Sequence, residues 1–153
     1  MIGDSFTRKG TTCMSTEANK ELVRRYQEAH NTNDLAALDA IVAADVITHS
    51  LMPGVPSGLE GGKLVHGMVV AAMPDFRADI EDLIAEGDKV AARMIFRGTH
   101  TGGEFMGIPP SGRQFAFSAT AIFRIAGGKI VEHWGDEDAL GWLQQLGAMP
   151  RPG

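Results

Sequence analysis

The strongest chemical signal in the sequence is a cluster of ionisable side chains at residues 133–138, HWGDED, where His133 stands close to Asp136 and Asp138. An imidazole beside carboxyl groups can relay protons, and a carboxyl group inside an apolar pocket has a raised pKa that suits acid/base chemistry near neutral pH. Asp136 and Asp138 are therefore the predicted acid/base residues, with helix capping as the alternative for each. His133 is the predicted third member, with a hydrogen-bonded core histidine as the alternative.

The other histidines are dispersed along the chain. His49 precedes a loop rich in proline and glycine, and His100 ends a predicted strand, where a structural role is equally open. His66 reads as exposed or packed on a helix, and His30 as a charge at a helix C-terminus. None of them has a compact ligand spacing with a carboxylate, so the sequence predicts no metal site. It also lacks the usual nucleotide-loop and hydrolase motifs, and we expect no cofactor.

Length and composition limit the function classes. The 153 residues fit one domain, and the net charge of −5 without a basic patch argues against nucleic-acid binding. The apolar runs are too short to cross a membrane, so a cytoplasmic location is expected. Cys13, the only cysteine, cannot form an intramolecular disulfide and lacks a framework that would make it a nucleophile. We predict an N-terminal extension (1–14), a domain (15–148) and a short tail (149–153).

Periodicity predicts helices first and strands afterwards. Helices are expected from Ser15 to His30, from Asp34 to about Val42, from Ser57 to Met73 and from Ala139 to Leu146. Residues 45–50 are expected to be extended. The predicted strands are 77–86, 89–101, 113–126 and 129–135, joined in two places by glycine-containing hairpin turns. This order predicts an α+β fold with helices packed on one face of an antiparallel sheet.

The alternation of the third predicted strand indicates its buried face. Large and small apolar residues alternate there with polar ones, and the face consists of Phe115, Phe117, Ala119, Ala121 and Phe123. This mixture could leave a hollow between sheet and helices, and a filled core explains it equally well. In the last strand, strict alternation would place Ile130, Glu132 and Trp134 on one face and Val131 with His133 on the other.

Several phrases in the sequence together resemble a known family. They are MPDFRADIEDLIAEGDKVAARMIFRGTHTG, FMGIPPSGR, GGKIVEHW and DALGWLQQLG. In this order and spacing, over about residues 17–147, they are similar to the SnoaL-like polyketide cyclases, or ester cyclases, of the nuclear transport factor 2-like superfamily. The resemblance implies a cystatin-like cone, in which a curled antiparallel sheet is closed by N-terminal helices around an apolar pocket lined partly by Phe117.

The resemblance also implies a reaction and shows where this chain departs from it. Aromatic polyketide cyclases of the family close a ring by intramolecular aldol condensation without metal or cofactor, using an Asp on the last strand and a His on its neighbour. Gly135 occupies that Asp position and Ala121 that His position, so both are expected to line the pocket without doing the chemistry. His133 has the same strand parity as Gly135. His49 matches a ligand-contacting position and precedes the loop that should border the pocket, and His100 lies near the PPSG loop.

The expected function is therefore that of a polyketide cyclase-type enzyme, with acid/base chemistry on a hydrophobic small molecule in natural-product metabolism. Two alternatives follow from the same resemblance. One is a polyketide hydroxylase-type member that works with a reductase partner, and the other is a non-catalytic ligand-binding or dimerisation module. A homodimer through the outer sheet face is also implied.

Overall fold

The computed structural model describes residues 14–153, and Cys13 lies outside this range. In chain order the described elements are α1 (Thr16–Asn31), α2 (Leu38–Ile41), β1 (Val42–Thr48), α3 (Leu59–Ala72), β2 (Arg77–Glu86), β3 (Lys89–Thr99), β4 (Gln114–Ala126), β5 (Lys129–Glu137) and α4 (Ala139–Leu146). No helix of the described part is long and apolar enough to cross a membrane.

The predicted elements are present, with two differences that involve strand pairing. The second helix is a single turn, because Val42 leaves it to pair with Ile130 in the sheet. The last strand continues beyond Gly135 to Glu137, because Glu137 pairs with Ala119 of β4. In both places a distant strand competes with the local preference of the sequence.

The sheet is curled and unclosed, with the strand order β1-β5-β4-β3-β2. The strands β2 to β5 form the predicted antiparallel meander. β1 adds a parallel strand beside β5, which the long intervening segment through α3 and β2–β4 permits. The predicted α+β class is confirmed, and the sheet is mixed.

Two apolar clusters pack on the concave face of the sheet. The larger one joins α1, α2 and β1 to the middle of the sheet through residues such as Val23, Leu38 and Phe123. The smaller one joins the end of α3, the 105–108 segment and α4, with Phe117 and Trp142 at its centre. The predicted buried face of β4, Phe115 to Phe123, spans both clusters.

A bulge in β5 corrects the predicted alternation of that strand. The register shifts between the pairs Arg124↔Glu132 and Ile125↔Ile130, so Val131 is an extra residue. Ile130 therefore faces the interior together with His133, whereas Glu132 and Trp134 face outward. The bulge decides which side chains of β5 meet in the core.

Asn31 fastens the end of α1 to the sheet edge. The Asn31 Nδ2 donates to the Ala78 carbonyl oxygen, and the Asn31 Oδ1 accepts from the Ala78 backbone N–H, each at 2.9 Å. Gln145 makes the same pair of bonds with Ala116 and so holds α4 against β4. Each side chain thus pairs the backbone N–H and C=O groups of one strand residue, as a neighbouring strand would.

Asn31→Ala is expected to lower the free energy of unfolding by about 1–3 kcal/mol, because it removes the two hydrogen bonds to Ala78 and one from Gln27, and leaves backbone groups of Ala78 unpaired. Urea denaturation measures the change. Gln144→Ala is the control, since the amide of Gln144 makes one 3.3 Å bond to the tail carbonyl of Pro150. Equal stability of the two variants would contradict the fastening role of Asn31.

Candidate active site

His133 lies where three neighbouring cavities meet on the concave face of the sheet. One of them, of about 200 Å³, lies over β3, β4 and the end of β5, and we call it the outer cavity. Its lining residues are Ser50, Met94, Phe96, Ala119, Thr120, Ala121, His133, Gly135, Asp136 and Glu137. The sequence-predicted residues His133, Ala121 and Gly135 are thus brought together.

The centre of the outer cavity is a cross-strand pair with almost no side chain. Ala121 of β4 lies directly opposite Gly135 of β5. A Cβ atom added to Gly135 would lie 3.3 Å from the Ser50 Oγ and 3.5 Å from the His133 Cε1 and Nε2 atoms. The absence of a side chain at Gly135 therefore opens space beside the imidazole.

Glu137 is the acid that the sequence reasoning missed. It pairs with Ala119 and has the inward parity of His133 and Gly135. The residue remains exposed at the cavity mouth, yet protein atoms around its carboxyl group raise its pKa by desolvation. Glu137 lies two residues beyond Gly135 and therefore has the same strand parity. It was missed because the strand was expected to end at Gly135.

The two predicted acids occupy different environments. Asp136 pairs with Thr120 on the outward parity of β5 and is exposed, although it contributes to the edge of the outer cavity. Asp138 is the N-cap of α4, where its Oδ1 accepts a 2.9 Å hydrogen bond from the Gly141 amide. The structure therefore gives Asp138 the capping role that was its alternative.

On the other side of His133 lies a more enclosed inner cavity of about 120 Å³. Its lining combines apolar and hydrogen-bonding groups, namely Tyr26, Gln27, His30, Asn31, His66, Phe76, Met94, Phe96, Phe123 and His133. A third space of about 40 Å³ continues from it toward Val46 and Leu59. His30 and His66, expected at a helix end and on a helix surface, both line the inner cavity.

The histidines of the inner cavity are held by their neighbours. The His30 Nδ1 lies 2.9 Å from the Tyr26 carbonyl, so that nitrogen carries the proton. The His66 Nε2 lies 3.1 Å from the Asn33 Oδ1, and the His66 ring meets the His30 ring edge-on at 4.9 Å. The His133 ring stacks on Phe123 at 4.9 Å.

Burial keeps these side chains uncharged near neutral pH. Desolvation lowers the pKa of His133 to about 4, and His30 and His49 contribute to the shift. The pKa of His66 is about 4 for the same main cause, that of His30 is also lowered, and burial raises the pKa of Tyr26 to about 12. Because the lining that residues 14–153 give these cavities contains no lysine or arginine, it favours a neutral ligand over a carboxylate.

Three other predicted binding residues lie elsewhere. His49 is on the outer face, where its ring stacks on Trp134 at 4.9 Å and its Nε2 lies 2.8 Å from the Glu132 Oε1. His100 is fully buried below the 102–112 loop, and its Nε2 donates to the Gly103 carbonyl at 2.9 Å. Phe117 stacks between Phe96 and Trp142 in the smaller cluster, behind the cavity wall. The strand face or loop that carries each of these three residues places it outside the lining of the cavities around His133.

Residues 14–153 contain no group of three or more His, Cys, Asp or Glu side chains placed to hold a metal ion. The groups around these cavities that can exchange protons are neutral imidazoles, a phenol and one inward carboxyl group of raised pKa. Together they can accept, donate and return a proton on a ligand that lies over Gly135.

Comparisons with known proteins show a family match over most of the chain. The profile of the family described as SnoaL-like polyketide cyclase matches residues 20–146. Aklanonic acid methyl ester cyclase DnrD of Streptomyces peucetius is 30% identical over 138 residues, covering 88% of this chain and 92% of the relative.

Solved structures show the same fold at similar identity. IdmH from Streptomyces antibioticus, proposed to be a polyketide cyclase, is 36% identical with a TM-score of 0.75 over 84% of this chain and 98% of its own. AclR from Streptomyces galilaeus, proposed to be a hydroxylase, is 29% identical with a TM-score of 0.78 over 89% of this chain and 100% of its own.

The lowered pKa of His133 gives a pH dependence with a definite sign. The unfolded chain binds a proton near the ordinary pKa of 6.5 and the folded chain only near 4, so stability is full above about pH 6.5 and falls as the pH decreases toward 4. Between about pH 7 and about pH 5, protonation linked to His133 should lower the free energy of unfolding by about 2 kcal/mol. Urea denaturation at both pH values, with His133→Asn, should show a smaller loss in the variant. An unchanged loss would exclude a buried neutral His133.

Proposed function

Because this chain belongs to the SnoaL-like polyketide cyclase family, we propose that it performs acid/base chemistry on a hydrophobic, polyketide-like ketone or ester bound in the outer cavity. One observation carries the assignment of roles. His133 and Glu137 face the same cavity from one strand, and the pair Gly135 and Ala121 leaves open space between them.

The spacing of these two residues suits a carbonyl compound. Four residue steps along the strand place their Cα atoms about 13 Å apart, and both side chains extend into the gap, which leaves room for a few substrate atoms. Glu137 is the proposed base that takes a proton from the carbon beside a carbonyl. The neutral His133 imidazole donates a hydrogen bond to the oxygen on which negative charge develops.

The reaction that follows is an intramolecular aldol addition. The enolate carbon attacks a second carbonyl of the same molecule, one C–C bond forms, and the resulting oxyanion receives the proton that Glu137 took. The product has the mass of the substrate. The base is two residues beyond the position that the family's cyclases use, so the substrate would be held closer to the mouth of the cavity.

Glu137 is preferred over Asp136 and Asp138 on geometric grounds. Asp136 belongs to the opposite face of β5, and Asp138 already accepts the capping hydrogen bond of α4. A raised pKa also brings a carboxylate closer to the basicity that proton abstraction near neutral pH requires.

A hydroxylase-type reaction is the second candidate, favoured by the similarity to AclR and by the replacement of the family's catalytic pair with Ala121 and Gly135. In that reaction a C–H bond becomes C–OH, O₂ supplies the new oxygen atom, and its other atom leaves as water. A reductase partner would have to supply the two electrons. The product is then one oxygen atom heavier than the substrate.

We also propose that the protein forms a homodimer through the outer sheet face. An apolar stripe crosses that face in register and consists of Ile84, Ala91, Ile122 and Trp134. Ile84 and Ile122 are 70% and 39% exposed, which is unusual for isoleucine in a sheet. The neighbouring rows carry ion pairs, Arg93 with Asp82 and Arg124 with Glu132, and would form a polar rim.

The acid/base role is tested with methyl 2-acetylbenzoate, a neutral one-ring compound with a methyl ketone and an ester. We expect the protein to catalyse exchange of the ketone methyl protons with D₂O and Glu137→Gln to lower this rate by about 10²- to 10⁴-fold. Proton NMR measures the exchange. The free acid 2-acetylbenzoate should bind more weakly, because none of the described residues that line the cavity is cationic.

Asp138→Asn is the matched control and should exchange at close to the parent rate, since Asn also caps helices. Asp136→Asn tests the acid at the edge of the cavity, whose outward parity on β5 predicts a smaller loss than that of Glu137→Gln. Loss of exchange in Asp136→Asn or Asp138→Asn, with Glu137→Gln active, would instead support that aspartate as the base. Binding without exchange in the parent protein would support a non-catalytic ligand-binding module.

Ile122→Glu is expected to convert the dimer to a monomer, because it places charge at the centre of the stripe. Sedimentation velocity measures the mass in solution. Leu64→Glu is the control, since Leu64 is 51% exposed on α3 and away from the sheet face. A parent protein that is monomeric at high concentration would refute the proposal.

A further inference from the structure

Three side chains lie between the outer cavity and the inner cavity. Met94 and Phe96 of β3 line both spaces, together with His133 of β5. Both residues of β3 have inward parity, since Met94 pairs with Ala119 and Phe96 with Phe117. Unlike His133, Met94 and Phe96 have no part in the proposed proton transfer.

The Phe96 part of this partition is held in place. Its ring stacks on Phe76 at 5.3 Å and on Phe117 at 5.3 Å, with interplanar angles of 25° and 18°. Phe117 in turn stacks on Trp142 at 4.8 Å. A ring packed on both sides cannot swing away without disturbing the smaller apolar cluster. Met94 is the more adaptable half, because its side chain has three rotatable bonds.

The partition limits what can be enclosed. A cavity of about 150 Å³ holds a benzene ring. By that measure the outer cavity, about 200 Å³, encloses one ring with a small substituent, and the inner cavity, about 120 Å³, encloses less than one ring. Even together, the cavities around His133 lie at the lower end of the range of about 300–1,000 Å³ found for small-molecule sites.

We propose that Met94 and Phe96 are specificity-determining residues that restrict the enclosed, reacting part of the substrate to a single ring, with the inner cavity taking a small hydroxyl or carbonyl substituent. The remainder of a larger substrate would stay at the mouth, beside Ser50, Thr120 and Asp136. The reaction chemistry of this ring rests on the proposed function, whereas the size limit rests on the cavity walls.

The polar groups of the inner cavity determine the chemical type of the substituent that it would accept. With its proton on Nδ1, His30 presents an unprotonated Nε2 as an acceptor, and the Tyr26 hydroxyl is a donor or acceptor. Among the described residues, no hydrogen bond to that hydroxyl is formed. A phenol or enol hydroxyl group matches the His30 acceptor, and a carbonyl oxygen matches the Tyr26 donor.

The size limit is tested by binding of a series with one, two and three fused rings: methyl benzoate, methyl 2-naphthoate and methyl anthracene-2-carboxylate. NMR shifts of the Ala121 ¹³C-methyl group, which lines the outer cavity and is present in every variant, measure the binding. We expect the parent protein to bind the three-ring ester at least about tenfold more weakly than the one-ring ester. Phe96→Ala and Met94→Ala, which join the two cavities, should reduce or reverse this preference.

Phe105→Ala is the matched control, because Phe105 is buried in the smaller cluster against Trp142 and lines none of these cavities. Its preference should equal that of the parent. Phe96→Leu removes less volume and is measured in parallel in case Phe96→Ala does not fold. If the parent binds the three-ring ester as tightly as the one-ring ester, or if the folded variants keep the parent order, the size limit is refuted.

Glu137→Gln separates this inference from the proposed function. The variant should keep the ring-size order while losing deuterium exchange. An intact order without exchange in the parent would refute the chemistry and leave the size limit standing, and exchange without a ring-size preference would do the reverse.

Discussion

The register between β4 and β5 is the constraint on which the candidate site depends. With Ala121 opposite Gly135, Phe123 opposite His133 and Ala119 opposite Glu137, the cavity receives an imidazole, a gap and a carboxyl group in sequence along one strand. A shift by one residue would turn Trp134 and Asp136 inward and His133 outward. The bulge at Val131 allows this register to coexist with Ile130 in the core, so the apolar cluster and the polar site are satisfied by the same strand.

The second feature of the site is burial without compensating charge. Histidines from α1, α3 and β5 converge on a space that has no cationic lining, and desolvation keeps them neutral. Such an interior has some stability cost at low pH but offers hydrogen bonds to neutral oxygen atoms. These properties suit an uncharged carbonyl compound, which agrees with membership of a family that binds hydrophobic small molecules.

Aromatic stacking connects the site to the rest of the fold. Phe96 forms part of the cavity wall and belongs to a row of rings through Phe117 to Trp142 on α4. Gln145 and the Asp138 cap fix α4 at the end of β5. The size of the cavity is therefore coupled to the packing of the last helix, although α4 lines none of the cavities around His133.

The sequence by itself determined the order of helices and strands, the buried face of β4 from Phe115 to Phe123, and the family, because these depend on local periodicity and on motifs contiguous in the chain. It also placed His133, Ala121 and Gly135 at one site. Only the tertiary structure decided that β5 continues to Glu137, that His30 and His66 meet His133, and that His49 lies outside. Strand length, bulge position and convergence of side chains depend on pairing with distant strands, and no local pattern contains that information.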